Sequence, residues 1–444
     1  MKKLLSLLLA LVLCCGAFVA CSSDEGKLFF KLNEKKDGYV VTGINTAMLD
    51  GPEELVIPSK YEGLPVTEIG NGAFKECEEL VSVEIPEGVT KIGASAFADC
   101  INISSVNTPN SVTEISSSAF SGCTHLASVT LSNNLKTIAT YAFSNCNNLS
   151  YTEYEGGEYL GSKENPYLYF VGAKEPDTFV GTVHKDTVFI NANAFRHCKA
   201  MTQVSFPDGA TFTDTPSFSG CTSLKSISFP DGIENLDSDV LFNCSSLTEV
   251  ILPGSITNIG FQVFANCENL AAVTIKEGVT AIPDFAFADC KSLTTVTLPS
   301  SLTTIGKNAF SRCENLSSIN IPEQVTEISE WTFSDCKNLT SVTLPSSLIT
   351  IGENAFTRCE NLSFINVPEQ VTEISAWAFS SCERLTSVTL PNSIKTIGNY
   401  AFFMCDSLSA IHYNGTVAEW QNVSAVFYDL NATIYCTNGE ITPH

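Results

Sequence analysis

The chain is poor in positive charge: 24 Lys and Arg stand against 48 Asp and Glu in 444 residues, a net charge of −24. A surface so acidic repels phosphate backbones and anionic headgroups, which excludes nucleic acid and direct adsorption to a membrane. Histidine is scarce too. His125, His184, His197, His412 and His444 are all there are, and no two lie at a helical or turn spacing that could hold a metal. Neither a Gly-x-Ser-x-Gly elbow nor a phosphate-binding loop occurs. Ser and Glu abound, but at positions set by folding, so nothing brings a nucleophile, a base and an orienter together. The sequence reads as a non-enzyme without cofactor or metal. No apolar run is long enough to span a membrane.

The longest apolar run is at the start. Met1-Lys2-Lys3 precedes Leu4 to Leu13, the form of a secretory signal rather than a spanning helix. Phe18-Val19-Ala20-Cys21 then resembles a bacterial lipobox, which implies export and lipidation of Cys21, although Phe18 stands where Leu is usual. The alternative is ordinary cleavage near Ala20 with Cys21 left free. Ser22 to Gly26 reads as a polar tether. Without Lys2 and Lys3 the mature chain has 22 basic against 48 acidic residues.

What the chain has in excess is cysteine at fixed intervals. Cys77, Cys100, Cys123 and Cys146, then Cys198, Cys221, Cys244, Cys267, Cys290, Cys313, Cys336, Cys359, Cys382 and Cys405, follow one another at 23 residues within each series. A period of this size means a solenoid of stacked short units, each contacting only its neighbours. Around Cys290, Phe287 lies three before, Leu293 three after, Val296 six after, Leu298 eight after and Pro299 nine after, and Ile305-Gly306 leads into Ala309-Phe310 and Cys313. The alternating Leu-x-x-Val-x-Leu stretch predicts a short strand, which Pro ends by removing a backbone donor. A second period overlies the first, since Ser300 to Pro345 nearly repeats as Ser346 to Pro391. From Cys146 to Cys198 the spacing is two periods plus six residues; Tyr159-Leu160-Gly161 and Asn165-Pro166-Tyr167 fall there, and the stretch reads as a decorated coil rather than a domain boundary.

These units resemble the BspA-like, Treponema pallidum-type leucine-rich repeat family over about residues 28 to 413. The resemblance implies a leucine-rich repeat solenoid of about 14–15 coils of 23 residues with a short-strand parallel sheet on one face. It also implies a bacterial surface protein that acts as an adhesin or interaction module. The segment His412-Tyr413-Asn414-Gly415-Thr416 to Glu419-Trp420 looks like the terminal segment of such proteins. The resulting division is a signal peptide at 1–20, a tether at 21–27 and an N-terminal capping segment at 28–65. The solenoid follows at 66–413 with an irregular insert at 147–190, then a C-terminal cap at 414–444.

Cysteines in an exported chain invite a disulfide reading, and equivalent Cα atoms on neighbouring coils would come within bonding range. In an unbroken column, however, each Cys has two equivalent neighbours, so pairing would be ambiguous. Zinc is disfavoured because the repeat lacks close Cys pairs. The column therefore reads as buried free thiols packed as small hydrophobes. Charges around it alternate in sign: Asp289, Arg312, Asp335 and Arg358 one residue before Cys, and Lys291, Glu314, Lys337 and Glu360 one residue after it. Opposite charges facing across coils favour the correct register over a one-coil slip.

Binding residues must then lie on the outside. The outward strand positions, five and seven after Cys, are hydroxyl-rich, as in Thr295/Thr297, Ser341/Thr343 and Ser387/Thr389, which suits an exposed sheet with or without a ligand. Phe364 and Ile251 are exceptions. Five residues before Cys stand Phe285, Trp331 and Trp377 on every second coil, with Asn308 and Asn354 between them and Tyr400 after. Exposed Trp and Tyr suit sugar faces and partner side chains; the competing expectation is that they pack over Phe333 and Phe379. Phe285, Trp331, Trp377, Tyr400 and Phe364 are the candidate ligand-binding residues. The expected partner is an extracellular protein or glycan, met by a module held at the cell surface through Cys21. A passive envelope spacer and a carbohydrate-capturing accessory protein are the other readings.

Overall fold

The computed structural model describes residues 25–49, 51–229, 233–425 and 432–442. The signal sequence and Cys21 lie outside the described residues. Contacts divide the chain into two compact units. One runs to Gly172 and includes His184–Ala192 and Pro207–Asp214; the other holds Ala173–Val183, Asn193–Phe206 and everything from Thr215. The change from one to the other falls in and just after the irregular stretch that the sequence suggested was a decorated coil. Both units are built of coils, about 17 turns among the described residues, more than the cysteines alone suggest. Turns such as the one carrying Tyr39–Ile44 and the one carrying Thr433–Cys436 lack the column cysteine.

Each regular coil has three sides. On the first, the strand forecast after the cysteine pairs in parallel with its neighbour one period away: Ser318 faces Ser341, Ile319 faces Val342 and Asn320 faces Thr343. The middle residue of each such strand turns inward while its hydroxyl or amide neighbours stay on the surface, as period-2 geometry requires. On the second side lies another parallel ladder, of two-residue strands such as Glu327–Ile328, Thr350–Ile351, Glu373–Ile374 and Thr396–Ile397. One sheet was expected here, with Ile-Gly read only as a turn. The β-branched Thr-Ile pair is extended enough to hydrogen-bond along the stack. The glycine that follows sits against the preceding coil's backbone: a Cβ on Gly306 would lie 2.5 Å from the Asp284 amide nitrogen.

The third side is a column of turns held by alternate amides. Trp331 N–H donates to the Glu353 carbonyl (3.0 Å), Phe333 to Ala355 (2.9 Å) and Asp335 to Thr357 (2.9 Å). Such a path requires two left-handed residues per coil, five before and one before the cysteine. Trp331 has φ 60° and Asp335 φ 58°, and the same pair of positions recurs along both units, as in Ser95 with Asp99 and Tyr141 with Asn145.

Between the sides of each unit lies a core. In the first unit Phe74, Phe97, Phe120 and Phe143 stack ring on ring at 5.0–5.3 Å. In the second the stack runs from Phe264 to Phe402 at 5.1–5.5 Å. These separations follow the strand spacing of about 4.8 Å. The ends are closed differently. Leu28–Leu32 pairs antiparallel with Tyr39–Ile44 in the first unit, and Gly439–Ile441 pairs antiparallel with Thr433–Cys436 in the second. Beside the latter, the short helix Val417–Trp420 starts in a capping box of Thr416 and Glu419, and Trp420 is buried against Tyr413 (5.1 Å). No helix among the described residues is long and apolar enough to cross a membrane.

Candidate functional site

The cysteines are the most numerous candidates for chemistry, and the structure withdraws them from it. All fourteen are buried and free. Twelve of them donate Sγ–H to a backbone carbonyl one coil back, as Cys313 does to Phe287 (3.2 Å) and Cys123 to Phe97 (3.1 Å).

 The thirteenth donor, Cys77, turns instead to the Glu79 carboxylate (3.6 Å), and Cys267 reaches the Leu241 carbonyl (3.2 Å). Burial pushes the thiols from Cys77 to Cys382 up, to about 11 in Cys77 and Cys146 and to about 12 in Cys100, Cys198 and Cys221. A thiol held protonated is neither a nucleophile nor a metal ligand at neutral pH. The column is thus filling with a weak hydrogen bond added.

The alternating charges meet across coils. Arg312 reaches Asp289 (3.5 Å), Arg358 reaches Asp335 (3.2 Å), Lys291 reaches Glu268 (2.8 Å) and Lys337 reaches Glu314 (3.1 Å). These pairs are half-exposed, so each contributes little energy and mainly favours register. Among the described residues, no group of three or more His, Cys, Asp or Glu could hold a metal ion. An open cleft of about 680 Å³ in the first unit includes Glu78, Glu79, Asn102 and His125, but His125 Nδ1 is engaged by the Ile101 carbonyl (2.7 Å).

The aromatic row is different in kind. Phe285, Trp331, Trp377 and Tyr400 all occupy the left-handed position five before the cysteine, with φ of 58–60°. For a bulky side chain that region costs roughly 1–2 kcal/mol, a penalty that Gly escapes and Asn reduces. Trp331 is 41% exposed, while Phe285, Trp377 and Tyr400 are half-buried. Trp377 lies flat on Tyr400 at 4.4 Å and 19°, with Phe403 edge-on to both at 5.8 and 5.6 Å. Phe285 meets the exposed Phe261 edge-on at 5.6 Å. The ring partners of Trp377 are therefore surface neighbours, whereas Phe333 and Phe379 lie fully buried in their own stack.

Phe364 is not part of this group. It lies on the first-side strand Phe364–Asn366, 54% exposed, opposite Ser387. Sequence reasoning also passed over Tyr141, which holds the same offset from Cys146 in the first unit with φ 62° and 54% exposure. Its offset alone could have found it. Phe403 and the exposed Met404 carried no such signal, because their positions are small or polar in the other column coils except at Phe242.

Comparison with known proteins points one way. Residues 53–162, 188–317 and 303–432 match the family described as BspA type leucine rich repeat region, in six copies. A solved leucine-rich repeat protein from Bacteroides ovatus shares 24% identity over 93% of this chain and 98% of that one, with a TM-score of 0.53. A leucine rich cell surface protein from Faecalibacterium prausnitzii shares 23% over 91% and 97%, with a TM-score of 0.34. The T. pallidum leucine rich repeat protein shares 23% over 66% and 90%, with a TM-score of 0.22. Of these, the first bears on the fold. No curated protein matches the chain.

Proposed function

Because the chain belongs to the BspA-type leucine-rich repeat family, we propose that it is a binding module displayed on a bacterial cell surface. In this reading a lipid on Cys21 anchors it, and an extracellular protein or glycan is held along the row Phe285, Trp331, Trp377 and Tyr400. The observation that carries the reading is the set of large aromatics at left-handed positions. Folding would favour Gly or Asn there, so a strained, part-exposed Trp on alternate coils calls for a use outside the fold. Trp and Tyr are also the residues over-represented where binding energy concentrates. Phe364, alone on the strand face, is a secondary candidate.

The test uses the mature chain from residue 22 as bait against matrix proteins, mucins and a glycan panel, beside a Trp331→Ala/Trp377→Ala variant. Specific capture that the double variant loses, at unchanged thermal stability, is the expected result. Capture equal in both removes the row from the function. The anchor is tested separately: Cys21→Ser is expected to release the protein into the medium, and continued membrane association would leave Cys21 unlipidated. The hydroxyl-rich, nearly uncharged strand face favours one second reading, a passive spacer, which binds nothing on any panel. A carbohydrate-capturing accessory would instead show affinity for soluble oligosaccharides.

A further inference from the structure

We infer that the aromatic row takes a basic polypeptide, with Arg or Lys side chains inserted between aromatics two coils apart. This rests on the proposed role of the row and adds the chemistry of its partner. Trp377 presents one face to Tyr400 on the next coil, so its plane stands across the direction of stacking and its other face looks back along the row. The next aromatic in that direction is Trp331, and the residue between them is Asn354, which is buried. Two coils separate the Trp backbones by about 9.6 Å, which puts a group inserted midway about 5 Å from each ring. That is within reach of a cation–π contact on both sides. Phe285 and Trp331 flank Asn308 in the same way one pair of coils earlier.

Charge selects the occupant. Glu353 precedes Asn354 at the slot, is exposed, and makes no ion pair among the described residues. The cations nearby are already matched: Lys307 to Glu330 (2.9 Å), Arg312 to Asp289 and Arg358 to Asp335. The chain as a whole carries −24, so a basic partner is drawn in and an acidic one is repelled. Spacing suggests the partner's conformation. In a polyproline II segment every third residue faces the same way, about 9.3 Å apart, close to the interval between successive slots.

The probe is a synthetic peptide of repeated Arg-Pro-Pro units, compared with its Glu-Pro-Pro counterpart and with a neutral β-linked hexasaccharide, followed by tryptophan fluorescence of the mature chain. The Arg peptide is expected to bind, the Glu peptide not. Trp331→Ala/Trp377→Ala should weaken binding about tenfold and Glu353→Gln by a smaller factor that vanishes at high salt. The decisive variant is Asn354→Tyr. Tyr400 shows that an aromatic at this position can stack on its neighbour, so the variant should fold, with a melting temperature lowered only by the strain of a bulky residue at the left-handed position, and block the slot. Equal binding of both peptides, or full binding by Asn354→Tyr, overturns the inference. If the hexasaccharide binds instead and Asn354→Tyr abolishes that binding, the row is the site and the partner chemistry is wrong. If the double Trp variant captures the same extracellular partners as the parent chain, the reading beneath falls too.

Discussion

The coils between Gly72 and Cys146 and those between Phe285 and Cys405 share an interior and differ on their turns. Both have the stacked Phe column, the buried cysteines and the same left-handed positions. At the position five before cysteine, the earlier coils carry Gly72, Ser95, Ser118 and Tyr141, and the later ones Phe285, Asn308, Trp331, Asn354, Trp377 and Tyr400. The backbone is the same at Ser95 (φ 53°) as at Trp331 (φ 60°). A turn that accepts Gly, Ser, Asn or Trp without changing course does not depend on the side chain. Identity at this position is therefore open to selection for contact with something else, while the Phe column is closed to it.

That contrast can be broken most sharply from the inside. Phe333→Ala removes a ring with no exposed surface from the stack and is expected to cost about 3–5 kcal/mol. Chemical denaturation should show it as a lower midpoint and a broader transition, since each coil is held by its neighbours. Trp331→Ala, in the same coil, should stay within about 0.5 kcal/mol. Equal losses would mean that Trp331 belongs to the core.

The cysteines give an effect of intermediate size that depends on pH. The folded-state values of the column from Cys77 to Cys382 are raised above the ordinary 9.0, to about 12 for Cys100 and Cys221. The folded chain therefore holds its protons where the unfolded chain has lost them, so stability is full below about pH 9 and falls as pH rises toward 12. Denaturation midpoints taken across that range should decline steadily. At pH 8 a thiol reagent should find the column unreactive until denaturant is added, after which the thiols titrate. Rapid reaction of the native column, or blocked thiols after unfolding, would contradict the buried free state.

The smallest effect is the most pointed. Trp331→Asn keeps the left-handed backbone with a residue that adopts it more readily, so it should stabilise the chain by up to about 1 kcal/mol while weakening partner binding. A clear fall in melting temperature would show that the ring's packing outweighs its strain.

The sequence made the interior legible because every inward position repeats in phase: Phe310, Cys313, Leu316 and Ile319 are buried as their spacing required. The second ladder was harder to see, since Thr350–Ile351 offers two residues and no alternation to recognise. An irregular spacing from Cys146 to Cys198 looks the same whether an insert decorates a coil or separates two bodies. The row was found from its offset, but its strain was not, because a Trp in the sequence carries no mark of a positive φ. Nor could spacing reveal that Trp377 would stack on Tyr400 while Trp331 stood apart between asparagines.

The salt bridges follow a rhythm of two coils, with Arg312 on Asp289 and Arg358 on Asp335, and so do the tryptophans. Insertion of one coil would put like charges side by side; insertion of two would leave every pair matched. At the level of the gene this makes the 46-residue segment, already present twice from Ser300 to Pro391, the natural unit of recombination. Unequal exchange between its copies would lengthen or shorten the protein in whole steps, each adding or removing one platform of the aromatic row.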